Sequence, residues 1–206
     1  MLNKNTASSI IQTVSTLVNN VVSSDMYNDV FWIEIFNEAM SYIYWYHKWS
    51  WNVIEEKVSI TDSNEVELQY PIQEVILVEK LPSWGTEYWW EEFTHIQYFT
   101  SNWNEFKIIW DKLVLDKNYT GDFRVVYRRW FKEYTVDDIN KKVDLPFYLN
   151  NVLVSLMQFK ILPIWLGEGS WGLMNNYLQD AIQQLERYKQ IDTYAEVERS
   201  LYPKRR

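Results

Sequence analysis

The sequence has no cysteine and only two histidines among its 206 residues. The absence of cysteine excludes disulfide bonds, cysteine-ligated zinc and thiol catalysis, and it is compatible with a reducing compartment such as the cytoplasm. The two histidines, His47 and His95, lie close to aromatic residues, and this setting favours packed or surface imidazoles over a general base. Neither an H-E-x-x-H metal motif, nor a G-x-S-x-G nucleophile elbow, nor a phosphate-binding P-loop occurs. We therefore expect no enzyme activity, no cofactor and no metal site.

Long apolar runs are missing as well. The longest apolar segment, residues 152–166, is interrupted by Ser155, Gln158, Lys160 and Pro163, so the sequence predicts no membrane span. The N-terminus shows no basic segment leading into an apolar run, and we expect no signal peptide. Positive charge is scarce, because 20 Lys and Arg stand against 28 Asp and Glu, for a net charge of −8. Nonspecific nucleic-acid binding needs clustered cations, so the protein as a whole is expected to be a poor nucleic-acid ligand.

Two motifs allow both a functional and a structural interpretation. Gly167, Gly169 and Gly172 match the G-x-G-x-x-G string of dinucleotide-binding proteins, but they follow a helical pattern rather than a strand. We therefore predict a turn between helices. Glu91 and Glu92 stand beside tryptophans, and this is the best indication of a sugar-binding site or a glycosidase. Adjacent strand residues point to opposite sides, so the pair is not itself a catalytic dyad, and a solvated loop or an interface rim is the preferred interpretation.

One internal cluster of basic residues contrasts with the acidic composition. It is interleaved with aromatic residues and consists of Arg124, Arg128, Arg129 and Lys132. The cluster is compatible with a nucleic-acid surface or with salt bridges to the acidic surface of a neighbouring subunit. At strand spacing, Arg124 and Arg128 share one face and Arg129 takes the other, which weakens the nucleic-acid interpretation.

Aromatic residues are unusually abundant, with 12 Trp, 15 Tyr and 9 Phe making up 17% of the chain. A small core does not easily absorb 12 indoles, because each indole N–H needs a partner. Some of these residues are expected in subunit interfaces, where Trp and Tyr are enriched. An aromatic-rich core is the other explanation, and the two are compatible. Four tryptophans of an otherwise unreadable segment are candidate contacts with a partner protein: Trp84, Trp89, Trp90 and Trp103.

Apolar residues at spacings of three and four predict four helices. The first covers residues 6–22, and the second follows a cap signal at Ser24-Asp25 and ends near Lys48. The third covers residues 147–165 and is ended or kinked by Pro163, and the fourth follows Ser170 and ends near residue 193. The fourth helix carries a narrow apolar seam typical of a bundle or coiled coil, formed by Met174, Leu178, Ala181, Leu185 and Tyr188.

Alternating patterns predict strands between the helices. Residues 53–60 and 66–70 are predicted as one hairpin, residues 72–80 as a strand or a short helix, residues 106–110 and 113–116 as a second hairpin, and residues 123–131 as a further strand. We therefore predict an α+β fold in which N- and C-terminal helices form a helical bundle with an antiparallel β module inserted between them. The predicted domains are a helical body (1–50 and 144–193), a β-rich insertion (51–143) and a C-terminal tail (194–206).

The order of these features resembles the head–tail connector proteins of tailed bacteriophages, also called adaptor or neck proteins, and above all the tail tubular A type. The resemblance rests on spacing over residues 8–185. It is carried by the Trp-rich residues 45–51 that lead directly into the predicted hairpin, by Leu68-Gln69-Tyr70-Pro71, by residues 125–129 and 135–138, by Asp144-Leu145-Pro146, and by the helix–turn–helix of residues 153–185 with Tyr177.

The resemblance implies a structural virion protein that forms a ring, typically a dodecamer, beneath the capsid portal. The ring continues the DNA channel for DNA ejection and gives the tail a docking surface. The implied partners are further copies of the chain, the portal protein, a tail or second ring protein, and passing DNA bound without sequence specificity, with no membrane. The implied localisation is the virion neck, and the host cytoplasm during assembly. An acidic channel lets DNA slide.

The same resemblance gives roles to two groups of residues. The C-terminal region reaches toward the portal, so Lys204, Arg205 and Arg206 are a candidate portal-docking tail, although a merely solvated end explains them as well. The seam from Met174 to Tyr188 is a candidate subunit interface. Two alternatives remain, namely a carbohydrate- or receptor-binding module that uses exposed tryptophans, and a hydrolase that uses Glu91 or Glu92 with a distant carboxylate.

Overall fold

Both ends of the chain contribute to one structural unit. In this computed structural model, residues 1–50 and 133–206 form a helical unit, and residues 51–132 form a β unit. The structure describes residues 5–19, 28–61, 64–81, 91–92, 94–95, 105–109, 112–115 and 119–201. The second boundary differs from the predicted 143/144, because residues 133–143 pack on the helical unit. There the Ser8 amide donates to the Ile139 carbonyl at 2.7 Å, and the Tyr134 and Phe36 rings meet edge to face at 5.1 Å.

The helical unit is organised around its third helix. The helices are α1 (Ala7–Asn19), α2 (Asp29–Tyr46), α3 (Asn150–Leu166) and α4 (Trp171–Leu201). The other three helices all pack against α3. Its buried residues point in several directions around the helix, as expected for a helix covered on several sides: Val152, Leu153, Leu156, Met157 and Ile161. An 18-residue window, Phe147–Ile164, is apolar enough to cross a membrane by composition, but half of it is buried inside the protein. Its place in the core accounts for that composition.

The ends of three helices depart from the sequence predictions. Helix α2 begins at Asp29, because the Asn28 side chain accepts the Phe31 amide hydrogen at 3.0 Å and caps the helix. Helix α3 begins at Asn150 rather than at residue 147 and continues past Pro163 to Leu166, so Pro163 does not end it. Helix α4 extends to Leu201 rather than to residue 193, so residues 194–201 of the predicted tail are helical. Neither glycine nor proline interrupts the sequence between Gly172 and Pro203, and this explains the length of 31 residues.

The β unit contains two small sheets. Its strands are β1 (Val53–Ile60), β2 (Glu65–Glu67), β3 (Ile72–Lys80), β4 (Glu91–Glu92), β5 (Thr94–His95), β6 (Glu105–Ile109), β7 (Lys112–Leu115) and β8 (Gly121–Arg129). The first sheet has the order β1-β8-β3-β4 and the second has the order β2-β7-β6-β5. All pairs are antiparallel except β5 and β6, which are parallel. The chain is thus of mixed helix and strand, compatible with the predicted α+β class.

Buried side chains from both sheets share one core. The buried residues of this core are Ile60, Leu68, Val78, Phe106, Leu113, Leu115, Phe123, Val125 and Tyr127. Strand β8 supplies alternate positions to this core, which is the period-two pattern of a half-buried strand. The strand begins at Gly121, whose φ of 121° is accessible because glycine has no Cβ.

The first predicted hairpin is wrong, and the second is confirmed. Strand β1 pairs along its whole length with β8, from Val53 opposite Arg128 to Ile60 opposite Gly121. Strand β2 has only three residues and pairs with β7, so β1 and β2 belong to different sheets. The longer register with β8 satisfies more backbone hydrogen bonds than a three-residue hairpin would. Strands β6 and β7 do pair as predicted, with Phe106 opposite Leu115.

Candidate functional site

Two predicted groups of residues fall outside the described part of the chain. They are the candidate partner-contact residues Trp84, Trp89, Trp90 and Trp103 and the candidate docking tail Lys204, Arg205 and Arg206. Both groups remain predictions. Strand β4 places the backbone of Glu91 opposite Lys80 and that of Glu92 opposite Glu79. Among the residues that the structure describes, no group of His, Asp and Glu could hold a metal ion.

The predicted apolar seam of α4 faces its own chain. Met174, Ala181 and Leu185 are buried, and Leu178 and Tyr188 are half-buried. Helix α4 packs along α3, where Ser155 Oγ of α3 donates to Asp180 Oδ2 of α4 at 3.0 Å. Just before α3 begins, the ring of Tyr148 lies 4.8 Å from the ring of Tyr188. The seam is therefore covered by α3 within one molecule. The predicted turn at Gly167 and Gly169 is confirmed as a 3₁₀ turn, Gly167–Ser170, between α3 and α4.

Large apolar side chains are exposed on the helical unit at both ends of α3. Ile164, Trp171 and Leu173, here called the tip, lie at the end of α3 and the start of α4, and they are 54%, 63% and 51% exposed. Phe147 is 69% exposed just before α3 begins, and Leu17 of α1 is 49% exposed. Burying such side chains is favourable, so contiguous exposed apolar surface marks sites of contact with other molecules.

Phe147 and Leu17 border an open groove of about 480 Å³ between α1 and the start of α3. Its other lining residues are mostly uncharged and polar, namely Asn5, Ser9, Gln12, Thr13, Thr16, Asn150 and Asn151, together with Ile10 and Val154. These eleven residues, which include no charged side chain, are here called the groove. The Ser/Thr/Gln surface of α1 is visible in the sequence, but nothing local indicates that residues 147–154 complete the groove.

The hydroxyl groups in the groove are oriented as acceptors. Thr13 Oγ1 donates to the Ser9 carbonyl at 2.8 Å, and Thr16 Oγ1 donates to the Gln12 carbonyl at 2.8 Å. Because each hydroxyl has one hydrogen and gives it to the α1 backbone, its remaining lone pairs can only accept. The groove is thus suited to an uncharged group that combines apolar bulk with an N–H donor.

A buried carboxylate joins the end of α2 to α4. Asp192 is 7% exposed, and it accepts the Ser50 amide hydrogen at 2.8 Å and the Ser50 hydroxyl at 2.5 Å. His47 Nε2 lies 3.3 Å from Asp192 Oδ2, close enough for an ion pair but not aligned as a hydrogen bond. Although Ser, His and Asp meet here, the carboxylate contacts the serine directly. In a catalytic triad the histidine stands between them, so the geometry indicates a structural contact.

A second contact between the end of α2 and α4 is a hydrogen bond from Tyr46 of α2. Its hydroxyl donates to Glu186 Oε1 of α4 at 2.7 Å. Burial and this hydrogen bond raise the pKa of Tyr46 to about 12. The donated hydrogen bond lowers the pKa of the Glu186 carboxyl, with help from the Lys189 ammonium. The two contacts hold the aromatic end of α2 against α4.

Two arginines of the internal basic cluster are paired with glutamates within the β unit. Arg124 contacts Glu79 through Nη1 and Glu55 through Nη2, both at 3.1 Å. Arg128 Nε lies 3.4 Å from Glu74 Oε2. These pairs make the nucleic-acid interpretation of the cluster less favourable, because the acids already neutralise the charges that phosphates would need. The sequence also allowed salt bridges from this cluster to a neighbouring subunit. In the structure Arg124 and Arg128 form salt bridges with glutamates of their own chain instead.

The third arginine of the cluster lies on the other face of β8. The Arg129 guanidinium stands over the Tyr70 ring, 4.5 Å from its centroid. On the same face, the Tyr127 hydroxyl donates to Glu56 Oε2 at 2.9 Å. Burial and this hydrogen bond raise the pKa of Tyr127 well above its usual value.

No protein-family model matches this chain, and no curated protein matches it with significance.

Proposed function

We propose that the protein is a structural virion component, a ring-forming head–tail connector that joins the portal to the tail and continues the DNA channel. The observation that carries this proposal is the exposure of large apolar side chains on a helical unit built from both ends of the chain. Trp45, Phe147 and Trp171 are 73%, 69% and 63% exposed. Aromatic residues of this size are enriched in protein–protein interfaces and are energetically unfavourable in water.

The order of the structural units supports the proposal further. Two helices precede the β unit and two follow it, which is the order that the connector resemblance implies. We infer that α1, α2 and α4 form a bundle around α3 and that this bundle provides the ring wall.

The charges favour a channel through which DNA slides. The net charge is −8, and Arg124 and Arg128 of the internal cluster are paired with Glu55, Glu74 and Glu79. Arginines that are already paired with carboxylates contribute little to the displacement of DNA counterions, so this part of the described surface does not hold the duplex. The role proposed here is therefore passage of DNA without sequence-specific binding, and it involves no catalysis.

The mass of the assembled particle tests the proposal. The purified protein is measured by light scattering and averaged electron images, alone and mixed with the portal protein of the same phage. We expect a closed ring of about twelve subunits, formed alone or on the portal. A protein that remains monomeric in both conditions would contradict the connector function. Glycan binding by such a monomer, lost when Trp89 and Trp90 are replaced by Ala, would favour the carbohydrate-binding alternative.

A further inference from the structure

The tip and the groove are two different surfaces at opposite ends of α3. Asn150 lies in the groove and Ile164 lies in the tip, and 14 residues along a helix correspond to about 21 Å. A closed ring of identical subunits uses heterologous interfaces, in which one patch of each subunit binds a different patch of the next. The tip and the groove are two separate patches near the two ends of α3, so they meet this requirement.

The chemistry of the two patches is complementary. Trp171 is 63% exposed, and its indole N–H is a donor without acceptor capacity. The groove offers acceptors, because Thr13 and Thr16 donate their own hydrogens to the α1 backbone. Apolar contact is available on both sides, from Leu173 of the tip and from Phe147 of the groove.

Electrostatics also favour contact between these two surfaces. Two copies of a chain with a net charge of −8 repel one another over most of their surfaces. Neither the groove lining nor Ile164, Trp171 and Leu173 carries a charge. Contact through these patches therefore requires no charged side chain of the tip or the groove to lose its hydration.

From these observations we infer that Trp171 and its tip neighbours of one copy bind in the α1–α3 groove of the next copy. The inference rests on the proposed ring, for which it names the contact between subunits. The exposed apolar side chains of tip and groove would bury on the order of 400 Å² per contact, whereas a stable isolated interface needs about 1,200 Å² or more. A single contact is thus weak, and the assembly becomes stable when the ring closes or when the portal holds many copies together.

The absence of cysteine from the chain makes a direct test possible. Gln12→Cys in the groove is combined with Leu173→Cys in the tip, and the concentrated protein is treated with a mild added oxidant. The two sites are too far apart in one molecule for a disulfide, which needs Cβ atoms about 4 Å apart. We expect a ladder of covalent dimers, trimers and larger species. The control protein combines Gln12→Cys with Ile191→Cys. Its second cysteine lies on α4 outside the tip, so we expect no ladder.

Substitution of Trp171 tests the chemistry of the contact by sedimentation of the otherwise unchanged chain. We expect Trp171→Ala to weaken self-association about 30-fold. Trp171→Phe keeps an aromatic ring but removes the N–H, and should weaken it less, by about 5-fold. Ile191→Ala removes another exposed apolar side chain of α4, outside the tip, as a control and should leave the association unchanged. Equal association of the wild type and Trp171→Ala would overturn the inference.

The combined outcomes separate this contact from the ring itself. A ring seen by electron images with no ladder from the Gln12–Leu173 pair would overturn the contact and leave the connector function standing. A ladder of open chains that never closes, with or without portal, would support the contact and contradict the ring. Absence of a ladder and of any self-association, both in the concentrated protein alone and with the portal protein present, would overturn the contact as well as the ring.

Discussion

Replacement of Asp192 by Ala is expected to destabilise the helical unit by about 2–3 kcal/mol. Asp192 is 7% exposed and accepts two hydrogen bonds from Ser50, at 2.8 Å and 2.5 Å. Hydrogen bonds to a charged group contribute about 1.5–3 kcal/mol each, and the lower part of this range applies because Ser50 is only half-buried and water can replace part of the loss. Asp192→Asn keeps one side-chain oxygen as an acceptor, so it should cost only about 1 kcal/mol.

Urea unfolding followed by circular dichroism at the helical wavelength measures this loss. With an m-value of about 2 kcal/mol/M, a destabilisation of this size lowers the urea midpoint by about 1 M. Gln190→Ala, on the exposed surface of the same helix, serves as the control and should change the free energy of unfolding by less than about 0.5 kcal/mol.

A double-mutant cycle decides whether Ser50 is the partner that matters. Ser50→Ala removes the hydroxyl hydrogen bond but leaves the amide, so the coupling energy between Ser50→Ala and Asp192→Ala should be about 1–2 kcal/mol. A coupling near zero would show that the 2.5 Å contact between Ser50 and Asp192 does not stabilise the fold. The reasoning would also fail if Asp192→Ala and Gln190→Ala had the same midpoint.

Three further predictions concern charged and titrating groups. Burial raises the pKa of Tyr127, so the contribution of its hydroxyl to stability is present below about pH 10 and is lost as the pH rises further. The urea midpoint, measured from pH 8 to 11, should therefore fall less steeply for Tyr127→Phe than for the wild type. The Lys141 ammonium lowers the pKa of Asp138 to about 2. The contribution of ionised Asp138 to the stability of the fold is therefore present above about pH 4 and is lost as the pH falls below that value. Lys141→Ala should raise that pKa toward about 4 in a carboxyl titration by NMR. Arg124→Ala leaves the Glu79 carboxylate, which is 12% exposed, without its partner at 3.1 Å. The free energy of unfolding of the β unit, measured in urea, should fall by about 2 kcal/mol. A loss below about 0.5 kcal/mol would contradict the interpretation of Arg124 and Glu79 as a buried pair.

Local pattern was sufficient where a segment determines its own structure. The alternation of Phe123, Val125 and Tyr127 predicts a strand with one buried face, and all three side chains lie in the core of the β unit. The two polar residues Asp111 and Lys112 between two apolar runs predict the antiparallel pair β6 and β7 in the same way. In each case the information lies within a dozen residues, which is the range over which periodicity and turn residues act.

Local pattern was insufficient where the partner is distant in sequence. The turn residues after Ile60 suggest a hairpin, but β1 pairs with β8 some sixty residues later, because β8 offers a full-length register. The groove depends in the same way on Phe147 and Asn150, which lie more than 130 residues after the α1 residues that they face. The uncharged surface of α1 is a visible signal, yet it does not identify the opposite wall.

The abundance of tryptophan allowed two explanations, an aromatic-rich core and subunit interfaces, and the burial of the tryptophans that the structure describes distinguishes between them. Trp49 is fully buried, and its indole N–H donates to the Ile43 carbonyl at 2.8 Å, so this residue belongs to an aromatic core. Trp171 has the same side chain but is 63% exposed at the end of a helix pair whose apolar seam is already filled. A buried indole whose N–H is satisfied stabilises the fold of one chain, whereas an exposed indole contributes little until another molecule covers it. Because α3 covers the seam that the sequence suggested as an interface, the assembly proposed above would use side chains such as Trp171 that the folded chain leaves exposed.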